Sequence, residues 1–120
     1  PNCLSVALGG GLGAVGRYLL SLIAAPWSFP VMTLLTNFLG AVVIGAVAQA
    51  AGQLPMSKSA VLFLKTGLCG GFTTFSTFSL ERVELLEQGR WAAGGGYILA
   101  SVGLCLAGVL LGRALVWKIL

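Results

Sequence analysis

The feature that most constrains this chain is a pair of long stretches without any charged side chain. Residues 31–51 contain no Asp, Glu, Lys or Arg, and neither do residues 92–112. Each stretch supplies about the 20 apolar residues that a helix needs to cross a bilayer. Over the whole chain only 8% of residues are charged, against about 25% in a typical soluble domain. Because so few charges cannot cover the surface of a soluble fold of 120 residues, the sequence predicts an integral membrane protein.

Hydropathy divides the chain into four predicted transmembrane helices within one all-α membrane domain, residues 1–120. The predicted spans cover residues 3–25, 31–51, 59–88 and 92–117, and the turns between them contain Pro, Gly or interfacial Trp. No basic segment precedes the first apolar run and no cleavage pattern is evident, so we interpret that run as a retained span rather than a signal peptide. An even number of spans places both termini on the same side of the membrane.

The cations are scattered along a chain whose formal net charge is +4. They form no basic patch with interleaved aromatic residues, so nucleic-acid binding has no support, and such cations usually anchor helix ends at lipid headgroups. Four spans would divide them almost equally between the two sides of the membrane. Either one orientation is weakly specified, or copies of the chain insert in both orientations. The seven cations are Arg17, Lys58, Lys65, Arg82, Arg90, Arg113 and Lys118.

Glycines recur at the four-residue spacing that lets membrane helices approach closely. One G-x-G-x-x-G also occurs at residues 11–16, but a dinucleotide-binding loop needs a preceding strand, and this match lies inside an apolar span. We therefore predict helix packing for these glycines. The three cysteines are widely spaced and the chain has no histidine, so no zinc site is predicted. The G-x-x-x-G pairs are Gly9/Gly13, Gly67/Gly71 and Gly108/Gly112.

Two polar residues inside the predicted spans allow more than one interpretation. Asn37 lies in the middle of the second span, where an unpaired amide is costly. It either forms an interhelical hydrogen bond or donates into a conduction path. Arg17 either reaches a headgroup, pairs with a glutamate, or attracts anions at the mouth of a pathway. No acidic residue lies deep in any span, and proton-coupled exporters and cation pathways normally use one, so the interior favours anions or neutral solutes.

The segment GGFTTFSTFSLE, residues 70–81, predicts an interrupted helix. Two glycines followed by two threonines are poor helix formers, so we expect a break near residues 70–74 in the middle of the membrane. Such a break frees carbonyls for a cation and hydroxyls for an anion. Phe75 and Phe78 point the same way, either as core filler or as ring edges facing an anion. In the fourth span Tyr97, Ser101 and Cys105 form one stripe, which either packs in the core or faces the third span.

Three motifs resemble those of the small dual-topology fluoride channels of the Fluc type. The run GLCGGFTTFSTFSLE, residues 67–81, is similar to the signature of that family's third span. TNFLG, residues 36–40, resembles the second-span motif, and GGGLGAVGRYLL, residues 9–20, resembles the glycine-rich first span with its single Arg. The resemblance extends over essentially the whole chain.

This resemblance implies an antiparallel homodimer in the lipid bilayer of a prokaryotic inner membrane, with two pores that export cytoplasmic fluoride passively. Phe75 and Phe78 would be the pore rings, Asn37 the pore amide, and Arg17 a vestibule residue. Backbone carbonyls of Gly70 and Thr73 from both chains would enclose a structural Na⁺ on the two-fold axis. An antiparallel pair also explains the balanced cations. The polar track would contain Ser76, Thr77, Tyr97 and Ser101, and Cys105 stands where some members have a hydroxyl.

Two other classes of protein are weighed against a channel. The alternative is a small four-span proton-coupled multidrug exporter, which should have a glutamate in its first span, where this chain has only Arg17. A non-transporting assembly subunit would need no polar stripe. The sequence predicts no enzyme, because it shows no nucleophile–base pair, metal set or interior catalytic carboxylate.

Overall fold

The predicted all-α class is confirmed by a computed structural model, which describes residues 1–22 and 31–119. Every regular element within those ranges is helical. The end of the first predicted span, residues 23–25, and the predicted turn at residues 26–30 lie outside the described residues. The elements are α1 (Asn2–Ser21), α2 (Val31–Gln53), α3 (Lys58–Val61), the π-helix π1 (Leu62–Cys69), α4 (Gly70–Phe72), α5 (Phe75–Glu87) and α6 (Trp91–Ile119).

Among the described residues, three helices are long and apolar enough to cross a membrane, namely α1, α2 and α6. They contain 20, 23 and 29 residues, and a rise of about 1.5 Å per residue makes the shortest of them about 30 Å long. That is about the thickness of the hydrocarbon core of a bilayer. The chain is therefore a membrane protein. The third predicted span, residues 59–88, is divided among α3, π1, α4 and α5.

The helices pack as two pairs, and glycine makes both contacts close. Helix α1 lies against π1 and α4, where a Cβ added to Gly9 or Gly13 would overlap the carbonyl oxygens of Phe63 and Leu68. Helix α2 lies against α6, where a Cβ added to Gly112 would overlap a backbone carbonyl of α2. The prediction that the G-x-x-x-G pairs serve helix packing is confirmed.

Local capping explains where the shorter helices begin and end. Ser57 precedes α3, and its hydroxyl accepts a hydrogen bond from the Ala60 backbone N–H at 3.2 Å, which satisfies an amide that the first turn leaves unpaired. Helix α5 ends at Glu87, and two residues later Gly89 has a φ of +77°, which favours glycine. The Arg90 N–H bonds to the Leu85 carbonyl at 3.0 Å across this turn, as in a Schellman motif. The chain thereby reverses into α6.

Candidate functional site

The interruption between α4 and α5 consists of Thr73 and Thr74, here called the break. Both residues have extended backbone, with φ/ψ of −82°/156° and −147°/119°. The Thr74 hydroxyl caps α5 by accepting a hydrogen bond from the Thr77 N–H at 3.2 Å, and the Thr73 hydroxyl donates back to the Cys69 carbonyl at 2.9 Å. β-Branched residues favour extended backbone, so the two threonines suit the break that they form. The break lies within the predicted range of residues 70–74.

Asn37 of α2 pairs with the backbone at the break. Its side-chain Nδ2 donates to the Thr74 carbonyl at 3.1 Å, and its Oδ1 accepts from the Thr74 N–H at 2.8 Å. The amide therefore replaces both backbone partners that a continuous helix would supply, and it meets the cost of a broken backbone in an apolar surrounding. Of the two interpretations of Asn37, the structure contains the interhelical hydrogen bond.

Arg17 approaches the break from α1. Its Nε donates to the Gly71 carbonyl at 3.3 Å, and in an unbroken helix that carbonyl would accept from residue 75. The side chain is part-buried. Arg17 therefore hydrogen-bonds a carbonyl released by the break, and its partner is not the glutamate that was one of the expectations.

Redirected hydrogen bonds release two further carbonyls, those of Gly70 and Thr73. The Thr74 N–H, the helical donor to Gly70, bonds to Asn37 instead. The Thr77 N–H, the helical donor to Thr73, bonds to the Thr74 hydroxyl instead. The described residues contain no group of three or more His, Cys, Asp or Glu that could hold a metal ion. The oxygen atoms of released carbonyls nevertheless suit a hard cation such as Na⁺.

A cavity of about 430 Å³, here called the larger cavity, lies on one side of the break. The rings of Phe75 and Phe78 border it, with centroids 5.5 Å apart and planes inclined at 31°. Phe78 is 8% exposed, whereas Phe75 is 78% exposed, so the two rings differ in burial within one protomer. The predicted site residues that line this cavity are Asn37, Gly70, Thr73, Phe75, Phe78, Ser101 and Cys105.

A smaller cavity of about 70 Å³ has Thr74 in its wall, and Thr74 also lines the larger cavity. Its wall includes the Arg17 side chain and several hydroxyl groups. This polar lining is what an anion leaving water requires, since hydroxyls and a guanidinium offer hydrogen-bond donors. The hydroxyl residues of its wall are Ser21, Thr33, Thr36, Thr74 and Thr77.

Two predicted track residues line neither of these cavities. Ser76 is exposed, and its hydroxyl lies 3.3 Å from that of Thr74. The Tyr97 ring lies below the guanidinium of Arg82, with Cζ 4.3 Å from the ring centroid. Ser101, one turn further along α6, is 4% exposed, and its hydroxyl has no hydrogen-bond partner among the described residues.

Arg82 was missed by the sequence analysis, which grouped it with cations at headgroups. The structure corrects this expectation, because Arg82 is only 3% exposed and its guanidinium lies over the rings of Phe78 and Tyr97. The physical reason is its position four residues after Phe78, which places both side chains on one face of α5. That spacing was a signal in the sequence for the contact with Phe78, though not for the contact with Tyr97.

These elements define a helical membrane protein in which amide, hydroxyl, guanidinium and aromatic groups gather at a break in one helix. The model of the family described as "CrcB-like protein, Camphor Resistance (CrcB)" matches residues 4–113. The chain belongs to this family.

Relatives of known name match nearly the full length of the chain. It is 44% identical over 118 residues to the fluoride-specific ion channel FluC of Ruminiclostridium cellulolyticum, covering 95% of this chain and 91% of that protein. It is 47% identical over 115 residues to the protein of the same name from Roseiflexus sp., covering 92% and 93%. The namesake from Shewanella frigidimarina is 47% identical over 121 residues, covering 98% and 97%.

The comparisons confirm the resemblance to fluoride channels that the three motifs indicated. The relatives are named as ion channels, which are transport proteins and not enzymes, as the sequence analysis predicted.

Proposed function

We propose that this protein is a fluoride-selective channel of a prokaryotic inner membrane, which it crosses four times and through which it exports cytoplasmic fluoride passively. The spans would be α1, α2, the composite of residues 58–87, and α6. The observation that carries the proposal is the break itself, where Asn37 holds the backbone of Thr74 and Thr74 lines both cavities. The printed names of the relatives support fluoride as the ion.

The proposed pathway runs through both cavities. Arg17 and Thr77 would form its vestibule side, since both line the smaller cavity. Phe75, Phe78 and Ser101 would form its inner part, since all three line the larger cavity. Positive ring edges and hydroxyl donors can replace part of the hydration shell of a small anion. We also assign Asn37, Ser76 and Tyr97 to this pathway, as the resemblance implied.

A second, antiparallel copy would complete two such pathways. The larger cavity opens on the surface of one protomer, and Phe75 at its rim is 78% exposed. Lipid offers an anion no hydrogen-bond donor, so a conducting cavity must be covered by protein. A second copy in the opposite orientation also accounts for the balanced cations of the sequence.

We further propose that Na⁺ binds the carbonyls of Gly70 and Thr73 at the two-fold axis of this dimer. Both residues border the larger cavity, and the usual helical donors to their carbonyls bond elsewhere. The released carbonyl oxygens would coordinate the cation, which would link the breaks of the two chains.

The decisive experiment is reconstitution into liposomes loaded with fluoride, with efflux followed by an ion-selective electrode. We expect fluoride to leave and chloride to be retained. Phe75→Ile and Phe78→Ile should each reduce fluoride efflux about tenfold or more, since about 1.4 kcal/mol added to a barrier slows a step tenfold.

The matched control is Phe63→Ile, which replaces a ring that borders neither cavity and should leave efflux unchanged. Comparable chloride efflux would contradict selectivity for fluoride. Undiminished efflux in both cavity variants would mean that the two rings only pack.

A further inference from the structure

Arg82 is a buried cation that the proposed pathway does not yet use. It lies on α5 one turn after Phe78, and its side chain is 4% exposed. Burying a charge inside a membrane protein is costly unless hydrogen bonds or an opposite charge compensate it. Intramembrane charges that persist despite this cost usually mark an ion path.

The Arg82 guanidinium lies over two aromatic rings. Its Cζ lies 4.3 Å from the Tyr97 ring centroid and 5.1 Å from that of Phe78. Cation–π contacts stabilise the charge, but they supply no oxygen or nitrogen acceptor for a hydrogen bond. The N–H donors of the guanidinium therefore gain no conventional hydrogen bond from these two contacts.

None of the Arg82 nitrogen atoms, Nε, Nη1 or Nη2, has a hydrogen-bond partner among the described residues. The nearest carboxylate oxygen, Oε1 of Glu81, lies 3.8 Å from Nη2. That separation allows charge attraction but exceeds the length of a hydrogen bond. Arg82 is therefore a buried guanidinium whose N–H donors lack partners in the described part of the chain, and it needs a hydrogen-bond acceptor.

We propose that Arg82 binds fluoride in transit and extends the row formed by Phe75 and Phe78 by one turn of α5. This inference rests on the proposed fluoride channel. Fluoride is a compact acceptor, and the in-plane N–H groups of Arg82 can donate to it directly. The Glu81 carboxylate at 3.8 Å offsets part of the positive charge, which keeps binding weak enough for the ion to leave.

The experiment measures the initial rate of fluoride efflux from liposomes at a series of internal fluoride concentrations. Arg82→Met removes the donors and retains an apolar side chain of similar length. We expect the half-saturating fluoride concentration to rise about tenfold or more, the effect of losing hydrogen bonds to a charged group. Arg82→Lys, which keeps the charge, should recover part of this loss.

The matched control, Arg113→Met, removes an exposed cation near the end of α6 and should leave the half-saturating concentration unchanged.

A purely structural role for Arg82 predicts a different result. If Arg82 only supports the fold, Arg82→Met should lower the maximal rate, through misfolding or through loss of the dimer, and leave the half-saturating concentration unchanged. Either of these results overturns the proposal. If Arg82→Met yields no folded protein, Arg82→Gln is judged by the same two quantities. Absence of fluoride efflux from the unaltered protein would refute the channel function itself, whereas normal efflux with an unshifted Arg82 variant would refute only this inference.

Discussion

At the scale of single residues, Asn37 shows how a side chain can take the place of a peptide group. Its amide carries a donor and an acceptor, as a peptide unit does, and both bond to Thr74 at 3.1 and 2.8 Å. Two extended residues inside a helix would otherwise leave backbone groups unpaired in an apolar surrounding. Asn37 therefore permits the break and fixes the position of Thr74, which lines both cavities.

The first prediction is that Asn37→Ala destabilises the protein and stops conduction. The Thr74 N–H and carbonyl would both lose their bonds to Asn37, and each buried group left unpaired costs about 1–3 kcal/mol. Asn37→Asp should also destabilise, because a carboxylate cannot donate to the Thr74 carbonyl. Thermal unfolding in detergent and fluoride efflux measure the two effects.

The matched control for this prediction is Gln53→Ala at the end of α2. It removes an exposed amide hydrogen bond to Gln49 of 3.1 Å, so the midpoint of unfolding should stay close to that of the unaltered protein. An Asn37→Ala variant as stable and as conductive as this control would show that the break does not depend on the amide.

At the scale of elements, the arrangement depends on glycine contacts that hold α1 against residues 58–72. Helix α1 meets the π-helix π1 there, and directly after π1 the Gly70 N–H bonds to the Lys65 carbonyl five residues earlier. π-Helical turns often occur near functional sites, and this one leads directly into the break. Close approach of α1 also brings the Arg17 side chain within 3.3 Å of the Gly71 carbonyl.

The break could be predicted from the sequence, and the π-helix could not. Gly70 and Gly71 followed by two threonines carry a local signal, because their conformational preferences act within a few residues. The wider turns of π1 have no comparable local signal, and they occur where this segment packs against α1. Helix packing by the glycines was predictable from their spacing, and the particular backbone atoms that they meet were not.

The candidate site was predictable in its residue types more than in its pairings. Asn37 was expected to need a partner, but only the structure identifies the backbone of Thr74 as that partner. Arg82 was misplaced because a cation near the end of a span ordinarily reaches water. Its burial depends on Tyr97 from another helix, and a pattern along one helix does not contain that contact.

The second prediction contrasts two glycines of α1. Gly9→Ala should lower the yield of folded protein sharply, because its Cβ would overlap the Phe63 carbonyl and lie 2.9 Å from the Leu68 nitrogen. Gly11→Ala is the matched control, since a Cβ there has no atom within 4 Å. Alanine favours helix over glycine by about 1 kcal/mol, so this control should be at least as stable as the unaltered protein.

Size-exclusion chromatography and thermal unfolding in detergent measure the contrast between these two variants. Equal behaviour of the Gly9 and Gly11 variants would mean that α1 does not pack against residues 58–72 as closely as described.

At the scale of the whole molecule, large apolar side chains remain exposed along the long helices, among them Leu12, Leu39 and Leu110. Lipid can cover such side chains. It cannot complete a polar path at the larger cavity, where Asn37 and Ser101 also lie. The proposed antiparallel pair would cover this opening with protein.

The last prediction is that conduction requires both orientations. Arg113→Gln with Lys118→Gln removes two cations from the side of the termini, and Gln53→Lys with Leu54→Lys adds two there; all four positions are exposed. The positive-inside rule should then fix the first variant with its termini outside and the second with its termini inside. A reporter fused to the C-terminus measures the orientation of each.

Either variant alone should lose most of its fluoride efflux, because it lacks an inverted partner. Co-expression should restore efflux, because the two orientations are then present together. Full efflux from a variant whose reporter lies on one side only would instead require a parallel assembly or a conducting single chain, and the larger cavity would then need some other protein surface to cover it.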